Sequence, residues 1–367
     1  MKKTLLATAI AGTMAASGAQ AATIYNEDGT KVDLYGNIQL AYSDREDGAG
    51  EREDQLADNG STVGINASHM ISRDLTAYMK AEWEHDADEA KVEDGIENGD
   101  QAYVGAKGSF GDLRVGSWDP VIDDWAQDKI TNNEFADVSD SSTDVAGFVS
   151  NLTGDDSAID REGDKVQYMS PSLNGFDFAL GFQYKGEAET ESGQDQNSSG
   201  YVTQDNEAAF FGGARYTIEN LQLAAIYDSL DNYTLENATT GEKAEADAYA
   251  LSAVYGLGAT TLAAKYERTN LELGSDDGEV DRYGVSARHG FNFGDVYAGY
   301  QYVDADNAAS VVDSGYTGTT SDESFNEFLI GANYGISDNM YVWAETGVYD
   351  REEDAKDFVA TGVVYSF

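Results

Sequence analysis

The chain ends on an alternating stretch, DFVATGVVYSF at residues 357–367, whose last residue is aromatic. Successive side chains of a strand point to opposite faces, so one face would carry Val359, Thr361, Val363, Tyr365 and Phe367. A strand of roughly 9–11 residues with an apolar, aromatic-ended face is long enough to cross a bilayer on a tilted path. The stretch therefore predicts a membrane-spanning strand, and the alternative is a buried terminal strand of a soluble sandwich.

The amino terminus has the features of an export signal. Lys2 and Lys3 precede an apolar run over residues 4–16, and Ala19-Gln20-Ala21 supplies a small-x-small cleavage pattern. We expect residues 1–21 to be a cleaved signal peptide and residues 22–367 to form the mature domain. No apolar run in that domain approaches the roughly 18 residues that a transmembrane helix requires, so a membrane span must be a closed β-barrel.

Composition agrees with a barrel. The mean hydropathy of −0.48 is compatible with one, because only alternate residues of each strand meet lipid. The chain has 39 Gly, 23 Tyr and 14 Phe but only 2 Pro, which suits strands and interfacial aromatic girdles. It contains no Cys, which excludes disulfides and thiol chemistry.

Acidic residues outnumber basic ones by 68 to 22, which gives a formal net charge of −46. Such a charge repels phosphate, so nucleic acid is excluded as a partner. The acids are concentrated in polar segments between the predicted strands. This pattern is typical of solvated loops that bind lipopolysaccharide through loosely held divalent cations, or of adaptation to high salt, and the two explanations stay open.

Seven short turn signals separate the alternating runs, with longer polar stretches between them. The turns are expected at residues 72–74, 111–112, 174–175, 219–220, 256–258, 294–295 and 337–339. Seven tight turns join fourteen strands, and one further strand at each end makes sixteen. The pattern predicts an all-β fold, a transmembrane antiparallel β-barrel with short periplasmic turns and long extracellular loops.

The strand after the turn at 174–175 shows the alternation most clearly. Its expected lipid-facing side chains are Phe176, Phe178, Leu180, Phe182 and Tyr184. The residues of opposite parity include Asp177, Gln183 and Lys185, which are expected to point the other way.

The strand count and one long connection indicate a pore. Barrels of about 16–18 strands leave an aqueous channel inside. The connection from Trp118 to Asp160 far exceeds a hairpin, and loops above about 12–15 residues are usually functional or disordered. Since it contains apolar side chains such as Trp125, Ile130 and Phe135, we expect residues 118–160 to pack against the inside of the barrel wall.

At this point the chain resembles the general diffusion porins of Gram-negative outer membranes, over nearly all of the mature sequence. The similar segments are residues 24–36, 74–78, 331–334, 337–340 and 362–367. The last of these, ending in Tyr365 and Phe367, matches the signal with which the family engages the barrel-assembly machinery. The resemblance implies a homotrimer of sixteen-stranded barrels, each with its third extracellular loop folded into the lumen as a constriction.

The resemblance also implies a set of pore-lining residues. Asn133-Glu134-Phe135-Ala136 resembles the loop motif that carries a constriction acid in the family, which makes Glu134 the first candidate. A neighbouring family Asp has no match, because Ile130 occupies its place, and Asp128 or Asp124 would substitute. The alternative for Glu134 is a loop acid bonded to nearby backbone.

The basic side of the constriction departs from the family. Arg161 matches one basic position, whereas Asn37, Thr62 and Asp100 stand where others carry Lys or Arg. The structural alternative for Arg161 is a salt bridge that pins the loop. Lys80 and Lys165 have inward parity and would compensate in part. Because three basic positions are lost, the sequence predicts a cation-selective pore with a weak transverse electric field.

The sequence favours a channel over an enzyme. His69, His85 and His289 lack metal-ligand spacing, and no nucleophile elbow is present, so no catalytic residue, metal site or cofactor is expected. We expect an outer-membrane porin for passive diffusion of small hydrophilic solutes and ions. The alternatives are a surface barrel for adhesion, reception or envelope anchoring, and a substrate-specific channel.

Overall fold

The computed structural model describes residues 21–46, 51–88, 99–136, 141, 163–184, 208–230, 235–236, 243–273, 276–308, 322–350 and 357–367. The predicted signal peptide lies outside these ranges except for its last residue. Among the described residues, no helix is long and apolar enough to cross a membrane.

The described chain is almost entirely β-structure, with a short π-helical segment at Asp123–Gln127. The strand segments are β1 (Ala22–Glu27), β2 (Thr30–Glu46), β3 (Arg52–Asp58), β4 (Thr62–Ser72), β5 (Leu75–Glu84), β6 (Gly99–Gly108), β7 (Gly111–Ser117), β8 (Lys165–Met169), β9 (Phe176–Tyr184), β10 (Ala208–Ile218), β11 (Leu221–Ser229), β12 (Leu235–Glu236), β13 (Lys243–Leu257), β14 (Thr260–Leu273), β15 (Asp276–Phe291), β16 (Gly294–Asp306), β17 (Glu323–Ser337), β18 (Met340–Tyr349) and β19 (Phe358–Ser366).

These segments form one closed antiparallel barrel of sixteen wall strands. The barrel closes where β19 pairs with β2, from Phe358 opposite Arg45 to Ser366 opposite Asn37. β3 and β4 both pair with β2 as two parts of one wall strand, β11 and β12 both pair with β13, and β1 is a short hairpin partner of β2. The predicted strand number is confirmed.

The seven tight turns are confirmed, with two of them displaced by two residues. β6 and β7 are joined by residues 109–110, and β15 and β16 by residues 292–293. The glycines that suggested these turns, Gly111 and Gly294, instead begin the following strands. A Cβ there would lie 2.3 Å from the Met169 carbonyl oxygen and 2.0 Å from that of Asn333, so close strand contact requires glycine.

The predicted alternation is also confirmed. Leu180 is 58% exposed on the outside of the wall, whereas its neighbour Ala179 is fully buried. The carboxyl-terminal strand behaves in the same way, since Tyr365 is exposed and Val364 is buried. The terminal Phe367 exchanges two backbone hydrogen bonds with Gly36, which locks the end of the chain to β2.

The main apolar core lies inside the barrel. Val121, Ile122 and Trp125 of the long connection are buried against the inner wall, where they join a cluster that includes Ala179 and Ile226. A barrel of this size has room for such an insertion because its own side chains do not fill the interior. The inserted segment is therefore part of the folded core.

Candidate functional site

The described part of the long connection, residues 118–136, runs along the inside of the wall. Ser252 of β13 donates a hydrogen bond to the carbonyl oxygen of Trp125 at 2.5 Å. Ser286 of β15 donates to the carbonyl oxygen of Lys129 at 2.6 Å. The predicted inward fold is confirmed for these residues. The end of the segment, predicted at residue 160, lies outside the described residues and stays a prediction.

Two wall glycines make room for the loop. A Cβ on Gly213 of β10 would lie 2.9 Å from the indole ring of Trp125, and a Cβ on Gly284 of β15 would lie 2.8 Å from Ile130. Both distances are shorter than real Cβ contacts, so a side chain at either position would push the loop towards the lumen. The loop side chains therefore pack directly against the backbone of the wall at these two glycines.

A single wall carboxylate holds the tip of the loop. Glu345 of β18 accepts hydrogen bonds from the backbone N–H groups of Glu134, Phe135 and Ala136, at 3.0, 3.2 and 2.7 Å. It also accepts one from the hydroxyl of Tyr297 at 2.5 Å. Hydrogen bonds to a charged acceptor are about twice as strong as neutral ones, so this contact fixes the tip firmly.

The Glu134 side chain faces polar groups of β17 and β18. Its carboxylate accepts hydrogen bonds from the Asn333 amide at 3.3 Å and from the Tyr341 hydroxyl at 3.1 Å. Asn59, between β3 and β4, donates to the Glu134 carbonyl oxygen at 2.8 Å. Burial raises the pKa of Glu134 above its ordinary value, although Tyr341, Asn333 and the nearby Arg288 partly offset the effect. The acid is positioned inside the barrel and does not bond only to its own loop.

The two substitute acids lie nearer the base of the loop. Asp124 belongs to the π-helical segment, where burial raises the pKa of its carboxyl and Arg114, Lys129 and Arg215 partly offset this effect. Asp128 follows the segment and its backbone N–H donates to the Asp123 carbonyl oxygen at 3.0 Å.

The wall strands β2, β4, β5 and β6 carry four of the remaining predicted residues. Asn37 donates to the Thr62 hydroxyl at 3.1 Å, so these two positions bond to each other. Lys80 forms an ion pair of 3.0 Å with Glu82, whose carboxyl also contacts that of Asp100. The positive charge of Lys80 is therefore balanced by acids on its own wall.

Two predicted cations have different outcomes. Lys165 points inward as expected but is only 1% exposed, because its ammonium donates to the carbonyl oxygen of Trp118 and lies 5.3 Å from the centre of that indole ring. The loop base covers it, so in this structure it does not face the open lumen. Arg161 lies outside the described residues, and its role stays a prediction.

Three inward-facing arginines of the described wall that lie over aromatic rings were missed by the sequence reasoning. Each guanidinium lies over an aromatic ring, Arg114 over Trp118 at 4.2 Å, Arg215 over Trp125 at 4.5 Å and Arg288 over Tyr297 at 4.2 Å. Each arginine is four residues from its tight turn and alternates with exposed wall residues. Parity and distance from the turn were the available signals.

Comparison with known proteins identifies the family. The pattern of the family described as Gram-negative porin matches residues 7–354. The chain belongs to this family. A monosaccharide porin of a Halomonas species and the major outer membrane protein of Halomonas elongata are each 46% identical to this porin over 383 residues, which cover 100% of both chains. It is accordingly an outer-membrane protein, and its short turns are on the periplasmic side.

Solved structures share the barrel. The anion-selective porin from Comamonas acidovorans has a TM-score of 0.70 at 16% identity, over 92% of this chain and 100% of that one. A trimer form of Vibrio cholerae OmpT has a TM-score of 0.64 at 15% identity, over 93% and 100% of the two chains. At such identities the likeness shows the fold alone.

In this porin, acidic side chains of the loop lie next to basic side chains of the wall. Asp124 lies near Arg114 and Arg215, and Glu134 lies near Arg288, so each of these loop acids has wall bases beside it. Within the described ranges, no group of three or more His, Asp or Glu side chains could hold a metal ion. Divalent cations bound to the acidic loops remain a prediction.

Proposed function

We propose that this porin forms a water-filled channel for the passive diffusion of small hydrophilic solutes and ions, and that the channel prefers cations. Family membership supports the first part, together with a sixteen-strand wall of the size at which barrels leave an aqueous interior. The proposed transport involves no catalysed reaction and no cofactor.

The position of Glu134 carries the second part. The loop tip holds this acid inside the barrel, and the wall positions Asn37 and Thr62 present neutral groups that bond to each other. Acidic rings favour cations in a pore. Since a porin of the same fold is anion-selective, the sign of the selectivity depends on the lining residues rather than on the barrel.

The reversal potential across a planar bilayer with a KCl gradient tests this preference. We expect the sign that indicates cation flow, and Glu134→Gln should reduce it without abolishing conductance. Glu53→Gln is the matched control, because Glu53 is an exposed acid of β3 and the same change there should leave the potential unaltered. An anion-directed potential in the unmodified protein would contradict the proposal.

A substrate-specific channel is the second candidate, favoured by one observation. A relative that is 46% identical over the full length is named a monosaccharide porin. Saturable sugar uptake would distinguish this function from unselective diffusion, which rises linearly with concentration.

We also propose that the protein assembles as a homotrimer in contact with outer-membrane lipid and lipopolysaccharide, and that Tyr365 and Phe367 engage the barrel-assembly machinery. A trimer form among the solved structures of this fold supports the first point. The exposed Tyr365 at the end of β19 supports the last. Chemical cross-linking in native membranes should give a species of three chains.

A further inference from the structure

Five polar side chains form a continuous hydrogen-bonded row beside the loop tip. Tyr341 bonds to Glu134 at 3.1 Å, Glu134 to Asn333 at 3.3 Å, Asn333 to Asp295 at 3.1 Å, and Asp295 to Arg288 at 2.9 Å. We call these residues the polar row. A second bond, from the Asp295 backbone N–H to the Asn333 side chain at 3.0 Å, fixes the orientation of the amide.

The end of the row at Arg288 retains unused donors. A guanidinium has five N–H donors, and among the described residues that of Arg288 makes one hydrogen bond, to Asp295. Its face lies 4.2 Å from the centre of the Tyr297 ring, which holds the group flat. The side chains of Arg288 and Asp295 are 32% and 22% exposed, so both can reach a solute in the lumen.

We propose that the polar row is a binding subsite for neutral polyhydroxyl solutes of monosaccharide size. Each sugar hydroxyl can donate and accept, and the row offers carboxylate acceptors next to the guanidinium donors of Arg288. Two adjacent hydroxyls can therefore bond to Asp295 and Arg288 together, and bonds to charged groups are the stronger kind. The inference rests on the proposed channel and assigns its solute class.

At the end of the row formed by Asp295 and Arg288, the charges disfavour the binding of ions. Two carboxylates, Glu134 and Asp295, would repel an anion that approaches Arg288. A small cation would meet a carboxylate already paired with Arg288 and gain less from it. A neutral hydroxylated solute can use donors and acceptors of the row without displacing any of these pairs.

The test measures current fluctuations of single channels in planar bilayers as D-glucose is added at constant KCl. In the unmodified protein we expect a saturable reduction of current. Asp295→Asn keeps the shape but removes the charge, and should raise the half-blocking concentration about tenfold, since it weakens a charged hydrogen bond. Asn333→Leu keeps similar bulk but removes both the donor and the acceptor, and should act in the same direction.

The matched control is Asp177→Asn. Asp177 forms the equivalent pair with Arg215 on β10, at 2.7 Å, and lies on a different part of the wall. We expect its half-blocking concentration to stay within about twofold of the unmodified value, a shift of less than about 0.4 kcal/mol. Far-UV circular dichroism checks that all variants keep the barrel.

The outcomes distinguish failure of the proposed subsite from failure of the proposed channel. Equal shifts for Asp295→Asn and Asp177→Asn would mean that lumen charge alone matters, and would overturn the subsite. No shift in either row variant, or no saturable block in a conducting unmodified protein, would overturn it too. Absence of any conductance in folded protein would instead overturn the proposed channel.

Discussion

Replacing Glu345 by glutamine should release the tip of the loop. Oε1 of Glu345 accepts from Phe135 and Ala136, and Oε2 accepts from Glu134 and from the Tyr297 hydroxyl. A glutamine has one oxygen and one NH₂ group in these places. Turned so that its NH₂ faces the Tyr297 hydroxyl, which can accept, the amide loses one of the four hydrogen bonds, that from the Glu134 N–H, and the other three become neutral hydrogen bonds.

The size of the effect follows from one lost bond and three weakened ones. Hydrogen bonds to charged groups contribute at least about 1.5 kcal/mol each, and neutral ones about 1 kcal/mol. One lost bond and three bonds weakened by about 0.5 kcal/mol each amount to about 3 kcal/mol, which is a change of about 100-fold in the ratio of released to docked loop. The loop keeps its other wall contacts, at Ser252 and Ser286, so the barrel should stay folded.

Cysteine labelling measures this release directly, because the chain contains no natural Cys. Ala136 is 7% exposed beside Glu345, so a thiol introduced by Ala136→Cys should react slowly with a small polar reagent. Adding Glu345→Gln should raise the labelling rate towards 100-fold, as estimated from the lost and weakened bonds. Asp281→Asn is the control, since Asp281 pairs with Arg268. An unchanged rate in the Glu345→Gln background would refute the anchoring role of this carboxylate.

Further predictions concern the wall glycines that face the loop, the constriction acid Glu134 and the carboxyl-terminal residue. Gly284→Leu should displace Ile130 and alter single-channel conductance. Gly290→Leu should leave conductance unchanged, because a Cβ there would lie 3.8 Å from the Ala259 carbonyl oxygen, an ordinary contact distance. Cation preference should fall as pH is lowered, starting above the ordinary pH range of a glutamate, because burial raises the pKa of Glu134 and protonation removes its charge. In a titration that measures the reversal potential, Glu134→Gln should abolish this fall. A pH profile of the variant identical to that of the unmodified protein would reject the assignment. Phe367→Ala should slow assembly, as measured by the amount of folded barrel in outer membranes, because it removes the aromatic ring that lies over Gly36 at the closing seam. Equal amounts would remove Phe367 from the assembly signal.

Sequence reasoning predicted the wall because each part of the wall is encoded locally. The alternation from Phe176 to Tyr184 fixes which side chains face outward, and the turn before it is marked by Asn174 and Gly175, which adopt φ values of 57° and 91°. Both signals involve residues that are close together in the sequence. The number of strands follows from counting the turns.

The candidate site depends on residues far apart in the chain, and much of it was missed for that reason. Glu134 was found through a short motif, but its partners Asn333 and Tyr341 lie about 200 positions away. Lys165 had the predicted inward parity, yet the loop base covers it, which parity cannot indicate. Arg288 was missed because only the folded barrel brings it next to the loop tip.

Single-channel recording over a range of KCl concentrations tests the central claim most directly. An aqueous pore through the barrel should give discrete conductance steps that grow in proportion to the conductivity of the bulk solution. Folded protein that inserts into the bilayer without such steps, or steps that saturate at low salt as in a dry and narrow ion site, would contradict a water-filled channel.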